Sequence, residues 1–200
     1  SVQRQIFRQF LFFRQWLALR DYAHQQGLQI IGDAPIFVAH DSADVWARPE
    51  EYLLDVSVGA PPDAFSETGQ DWGVPMYRWD VFAAGDFAWL GQRARRMAAL
   101  YGGYRVDHLV GFYRTYGRPL GGEPFFNPAD EATQLSQGER VLRIFLDSGA
   151  AIMAEDLGTV PDFVRASLSG LGIPGYKVIR WERDWHQPGH PFLDPAAYPV

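Results

Sequence analysis

The chain has no cysteine, one lysine and no long apolar run. Without cysteine there is no disulfide scaffold and no thiolate metal site, and a cytoplasmic location is expected. Lys177 stands alone among 18 Lys and Arg residues, a compositional bias without a functional reading. The best candidate for a membrane span, Ile6 to Leu19, is broken by Arg8, Gln9, Arg14 and Gln15, well short of the about 18 apolar residues a span requires, so no membrane partner is expected. Basic charge is not in excess either. At a net charge of −6, nucleic acid is not an expected partner. A glycine-rich phosphate loop, a nucleophile elbow, a His-Glu-x-x-His helix, an internal repeat and a low-complexity tract are all missing.

What remains is globular. Hydrophobic residues make up 47% and charged residues 21% of 200 positions, enough for one domain or part of a larger one. Aromatics reach 15%, with seven Trp, which suits stacking on sugar rings but also a ring-rich core. The chain opens inside a helical pattern and closes on Tyr198-Pro199-Val200, the expectation for a segment of a longer protein.

Ile6, Phe10, Phe13 and Leu17 recur at helical spacing and predict an apolar face on a helix that ends at Gly27. Leu28 to Ile31 predicts a buried strand, broken by Gly32-Asp33-Ala34-Pro35. Asp41-Ser42-Ala43-Asp44 reads as a helix start. Further helices are expected at Phe87–Tyr101, around Val141–Phe145, and at Asp162–Leu168 with Pro161 at its start. Strands are expected at Tyr104–Val106, Ala150–Ala154 and Gly175–Trp181. Helix and strand alternate four times, which predicts a parallel α/β sheet with strands buried on both faces. Two stretches, roughly Asp55–Asp80 and Gly117–Gln134, read as long loops, and the rings of the first mark it as ordered and functional.

Asp33, Asp107 and Glu155 follow predicted strands, and Glu182 is a possible fourth. In parallel α/β folds the C-terminal strand ends converge on one face, where active sites lie. Paired carboxylates there suit glycoside chemistry, one attacking the anomeric carbon and the other handling the proton. Arg105, two residues before Asp107, shares its face of the strand and is placed to hold it charged. Asp156, next to Glu155, points the opposite way along the chain. Bland roles compete: an Asp after a strand is commonly a cap or turn residue, Glu155–Gly158 can be a polar turn, and Asp33 before Pro35 reads as structural. His24 and His40 read as solvated, and His186 and His190 as part of a polar tail. No carboxylate or histidine group has a fixed metal-ligand spacing, and no metal site is assigned.

Taken as strings, these segments go further. Ile31–Ala39 with Asp41–Ala47, the block Gly59–Tyr77, Tyr104–His108, Ala154–Gly158 and Gly172–Val178 together resemble the amylomaltases, the 4-α-glucanotransferases of glycoside hydrolase family 77, in order and over nearly the whole chain. The resemblance implies a single catalytic (β/α)8 barrel with inserted loops, of which these 200 residues are a central part, incomplete at both ends, at about barrel strands three to six. It implies Asp107 as nucleophile, Glu155 as general acid/base and Arg105 as the residue orienting Asp107. His108, Asp33 and Asp156 would bind or order sugar at the cleavage site. Asp63, Phe65, Glu67 and Trp72 would contact sugar from a loop beside the acceptor sites. The implied partners are maltooligosaccharides and α-1,4-glucans, with no cofactor; an α-amylase-like hydrolase and a glucan-binding homologue without catalysis are the alternatives. Val74 and Leu109-Val110 depart from the family's usual residues, Tyr176 replaces a smaller or different residue of some members, and the run from Trp46 to Pro61 is shorter than expected for many members. The family's third carboxylate, an Asp after a His, belongs downstream of Trp181, where His186 and His190 are followed by Gln187 and Pro191.

Overall fold

The computed structural model describes residues 1–63 and 66–197. In chain order the elements are α1 (Val2–Gln25), β1 (Ile31–Ala34), α2 (Ala43–Ala47), β2 (Tyr52–Ala60), β3 (Gln70–Tyr77), α3 (Trp79–Ala84), α4 (Ala88–Leu100), β4 (Gly103–Val106), β5 (Thr115–Pro119), β6 (Phe125–Asn127), α5 (Glu131–Leu146), β7 (Ala151–Ala154) and α6 (Asp162–Leu171). Among the described residues no helix is long and apolar enough to cross a membrane.

Two sheets organise the chain. The first is parallel, in the order β1-β4-β7, with Asp33 opposite Arg105 and Arg105 opposite Met153. Its strands are joined by helical crossovers, as parallel pairing demands. The central strand carries Tyr104 and Val106, both fully buried, while α4, α5 and α6 supply Leu90, Ala94, Val141, Leu142, Phe145, Val164 and Leu168 to the core. The expected fourth strand, Gly175–Trp181, does not form. Pro174 O accepts one bond from Ala154 N at 2.8 Å, but Tyr176 N turns to the Asp156 carboxylate, and residues Ile179–Trp181 wind into a short 3₁₀ turn. With one ladder bond the segment lies against β7 without becoming a strand, so Glu182 is not a strand-end acid.

The second sheet corrects the loop expectation. The stretches around Asp55–Asp80 and Gly117–Gln134 supply an antiparallel sheet ordered β3-β2-β5-β6. Their Pro and Gly residues sit at register shifts, such as those between Leu53 and Ser57 and between Ser57 and Gly59, and mask the alternation that marks a strand. Much of the aromatic content is spent here as core. Tyr77 packs its ring against Tyr52, Trp79, Phe82 and Trp89 at centroid distances of 5.1–5.8 Å. Its hydroxyl donates to Ile36 O on the chain leaving β1, and Trp79 Nε1 donates to the buried Thr115 hydroxyl at 3.1 Å. The first bond ties the antiparallel sheet to the chain leaving β1, and the second ties α3 to β5.

The helix start expected at Asp41–Asp44 forms, with Ser42 Oγ accepting from Val45 N at 3.2 Å at the start of α2; Asp130, in a stretch read as loop, caps α5 by accepting from Thr133 N at 2.9 Å. Helix α1 departs from expectation. The face that packs is Phe13, Trp16, Arg20 and Ala23. Trp16 Nε1 donates to Leu100 O at 2.9 Å, Arg20 to Ala99 O at 2.6 Å, and Arg96 lies over the Phe13 ring at 3.9 Å. Ile6, Phe10 and Leu17 stay exposed.

Gly138 shows how closely α5 approaches the core. A Cβ there would lie 2.2 Å from the fully buried ring of Tyr113. Alanine would gain about 1 kcal/mol of helix propensity, but overpacking costs about 1–3 kcal/mol and the ring has nowhere to go. Gly138→Ala is therefore expected to lower the thermal midpoint, by up to about 2 kcal/mol in stability. A midpoint that is unchanged or raised would contradict this packing.

Candidate active site

The parallel register gathers acidic groups from distant parts of the chain. Asp33 lies within β1, Asp107 follows β4 and Glu155 follows β7. The turns beyond these strands are held to each other through backbone: Asp107 N donates to Ala34 O and Glu155 N to Val106 O, both at 3.0 Å, and Leu109 N donates to Glu155 O at 3.3 Å. The strand ends are thus locked at the level where the carboxylates project.

Arg105 is the hub. Its Nη1 donates to both oxygens of Asp33, at 2.8 and 3.0 Å, and its Nη2 donates to Asp107 Oδ1 at 2.5 Å. The same Nη2 lies 4.0 Å from Glu155 Oε2. Burial works against the charge of Arg105, but hydrogen bonds to Asp33, Tyr176 and Asp107 outweigh it and push its pKa above the usual arginine range. Asp107 remains 44% exposed while Glu155 is 12% exposed, so one carboxylate is open to a ligand and the other is recessed.

Glu155 is recessed because both of its oxygens accept backbone N–H groups. Oε2 accepts from His108 N at 2.8 Å and Oε1 from Leu157 N at 2.9 Å. The first contact needs His108 in its left-handed conformation, φ 47 and ψ 47, an uncommon state for a non-glycine residue. The ring of His108 packs edge-on to Trp72 with centroids 4.7 Å apart and beside Phe37 at 6.5 Å. Trp72, itself half-buried, comes from β3, so the antiparallel sheet delivers an aromatic wall to the carboxylates.

The other expected residues divide. Asp63 Oδ1 accepts from Ser66 N at 2.8 Å, and Asp63 borders a cleft of about 340 Å³ shared with Asp156, Leu157, Thr159, Tyr176 and Trp181. Glu67 sits in an exposed turn. Phe65 lies outside the described residues. Asp156 points away from the hub, and its carboxylate is taken by Arg165 at 2.7 Å and Tyr176 N at 3.3 Å. A larger cavity of about 800 Å³ opens on the far side of Asp156, along Leu168, Ile173 and Pro174, away from Asp107. A His40-Asp41 pair does occur in the chain, but on the connection between β1 and α2, where His40 is exposed and its ring nitrogen lies 3.4 Å from Leu54 O. Among the described residues no group of three or more His, Asp or Glu is arranged to hold a metal ion.

Sequence reasoning missed three neighbours. Phe37 was within a recognised string but carried no chemistry to mark it. Arg165 projects from α6, one of several arginines on helices. Tyr176 stood out only as a departure, yet its ring centroid lies 5.6 Å from the Arg105 guanidinium.

The whole chain, residues 1–200, matches the family described as 4-alpha-glucanotransferase. It is 40% identical to the 4-alpha-glucanotransferase of Thermus thermophilus over 206 aligned residues, covering 97% of this chain and 39% of that protein. It is also 40% identical to the Synechocystis enzyme of the same name, over 94% of this chain and 38% of that protein. Among solved structures it resembles amylomaltase from Streptococcus agalactiae in complex with acarbose, with a TM-score of 0.74 and 33% identity over 87% of this chain and 36% of the other. The chain spans under two fifths of the length of these relatives. Aligned from end to end with that family, the chain belongs to the 4-alpha-glucanotransferases, glycoside hydrolase family 77.

Proposed function

We propose that these residues form the nucleophile and acid/base portion of an amylomaltase active site, within the central part of a (β/α)8 barrel, and that the complete protein transfers α-1,4-glucan segments to the 4-hydroxyl of another glucan. The observation that carries this reading is the Arg105 hub: one guanidinium lies within 4.0 Å of Asp33 inside β1 and of Asp107 and Glu155 just after β4 and β7, three adjacent parallel strands. The exposed row of Ile6, Phe10 and Leu17 on α1 supports further elements packing there, as a closed barrel requires.

Asp107 is the nucleophile. It is the more open carboxylate, and the Arg105 guanidinium donates to its Oδ1. Glu155 is the acid/base. Both reach the same Arg105 nitrogen, so the gap between Asp107 Oδ1 and Glu155 Oε2 cannot exceed those two contacts laid end to end. That bound favours the about 5–5.5 Å of retaining pairs over the about 6.5–9.5 Å that leaves room for an inverting water. Glu155 gives its proton to the glycosidic oxygen as Asp107 attacks C1, forming a covalent β-glycosyl ester and releasing the leaving glucan. Glu155 then takes the proton of the incoming 4-hydroxyl, that oxygen attacks C1, and the Asp107 carboxylate leaves, restoring an α-bond. No cofactor enters either step. Transfer outruns hydrolysis when the acceptor side holds sugar and excludes water. Trp72 and Phe37, packed around His108, and the turn of Asp63 and Glu67 supply that wall, with Phe65 on the same connection. The acarbose held by the streptococcal relative supports maltooligosaccharides as the ligand class. A cysteine-free composition supports a cytoplasmic enzyme.

His108 serves as a neutral group. Burial pushes its pKa down to about 4, against the opposing pull of the Asp107 charge. At neutral pH it meets a sugar hydroxyl without adding a cation.

Two outcomes are expected in the full-length protein. Asp107→Asn and Glu155→Gln each lose at least about a thousandfold in turnover of maltotriose, and the unaltered protein yields glucose together with a ladder of longer chains. Glucose and maltose alone would make it a hydrolase, and full turnover in either variant would remove the assignment. The second outcome concerns pH. An unfolded histidine titrates near 6.5, so between pH 6.5 and about 4 the unfolded state binds a proton that the native state refuses. The contribution of His108 is therefore intact above 6.5 and is lost as pH falls through that window, by at most about 1.4 kcal/mol per unit. His108→Asn, which tolerates the left-handed backbone, should flatten the slope of urea stability against pH between 4 and 6.5. Parallel curves for the two proteins would contradict a buried neutral imidazole.

A further inference from the structure

Asp156 directly follows the proposed acid/base, yet its carboxylate, 13% exposed, is used up within the protein. Oδ2 accepts from Arg165 Nη1 at 2.7 Å, while Arg165 Nη2 lies 3.3 Å from the Asp156 carbonyl, so α6 grips both ends of the residue. Oδ1 accepts from Tyr176 N at 3.3 Å. The segment before Tyr176 is pressed onto the same carboxylate: a Cβ on Gly175 would fall 2.6 Å from Oδ1, and Pro174 O is bound by Ala154 N at 2.8 Å. Two points of attachment, one to the end of β7 and one to Asp156, therefore fix where Tyr176 leaves the backbone. Its ring then lies 5.6 Å from the Arg105 guanidinium, and its side chain is also a hydrogen-bond partner of Arg105. A cation facing an aromatic ring gains about 0.5–2 kcal/mol, most where water is excluded, which is enough to choose among arginine rotamers.

We propose that Arg165, Asp156 and Tyr176 form a positioning relay that holds Arg105 in the rotamer that serves Asp107, and that Asp156 acts through this relay and not by binding sugar. The relay rests on the assignment of Asp107 and Glu155 above.

The test uses the full-length protein, with kcat and KM on maltotriose, a pH profile and a thermal midpoint for each variant. Arg165→Ala and Asp156→Asn should each lower kcat about tenfold with KM changed less than about twofold. Because they act as one unit, the double variant should be no worse than the worse single one. Arg165→Lys should recover part of the loss, and Tyr176→Ala should reproduce it while Tyr176→Phe, which keeps the ring, loses less. The groups facing Asp107 are Arg105, Glu155 and His108, with Asp33 across the guanidinium. Arg105 is the cation facing that cluster, so loosening it should displace the acid limb of kcat/KM in Tyr176→Ala. A purely structural role would lower the midpoint and leave that limb in place, which would overturn the relay. It would equally be overturned if Asp156→Asn raised KM at unchanged kcat, the signature of a sugar ligand, or if Arg165→Ala left kcat untouched. Failure of the underlying reading shows separately, as turnover retained in Asp107→Asn or Glu155→Gln. Should Asp156→Asn not fold, Arg165→Lys and Tyr176→Phe, each conservative, still separate the outcomes.

Discussion

Everything at the proposed centre depends on one guanidinium serving three carboxylates. Unit charges about 5 Å apart repel by about 3 kcal/mol at an effective dielectric of about 20. Asp33, Asp107 and Glu155, gathered around one nitrogen fork, carry that conflict. Arg105 removes that conflict because its fork is planar and permanently charged. One nitrogen takes both oxygens of Asp33 and the other takes Asp107, with Glu155 just beyond contact. A lysine in its place would offer a point charge without the fork. The parallel register makes this possible: Asp33 and Arg105 are direct partners across β1 and β4, so no loop has to search for the geometry.

The second constraint is the division of labour between the sheets. The short parallel strands place charges, and the antiparallel sheet places rings. Trp72 on β3 reaches His108, while Tyr77 on the same strand anchors the core and bonds back to Ile36 beyond β1. Strand β3 thus ties the aromatic wall to the carboxylate platform through a fully buried tyrosine. His108 joins the two, since its backbone N–H holds Glu155 and its side chain packs on Trp72.

The central strands were readable because buried parallel strands are continuous apolar runs bounded by turn residues. Tyr104–Val106 and Ala150–Ala154 each fall within one residue of the observed β4 and β7. The first strand was displaced by three residues. Gly32-Asp33-Ala34-Pro35 looks like a break, yet Gly32 lies inside β1, where a Cβ would meet the Tyr101 ring at 2.4 Å. That shift moves Asp33 from the strand's end into its register with Arg105, an ion pair that no local pattern announces. The antiparallel sheet was invisible for a different reason. Its long strands carry Gly59, Gly73 and Pro75, residues whose local preferences point to loops, and tertiary packing overrides them. That Arg105, Asp107 and Glu155 lie together beyond neighbouring strands was legible from spacing; the partners of Asp156 were not, because Arg165 and Tyr176 meet it only through the folding of α6 back onto β7.

The account stands on Asp107 as a covalent nucleophile. The most direct test is to incubate the full-length Glu155→Gln protein with α-maltotriosyl fluoride, whose leaving group needs no acid, and to map the adduct by peptide mass spectrometry. The account predicts one maltotriosyl unit esterified to the peptide carrying Asp107. An unmodified Asp107, or a sugar attached at Asp33 instead, would contradict it.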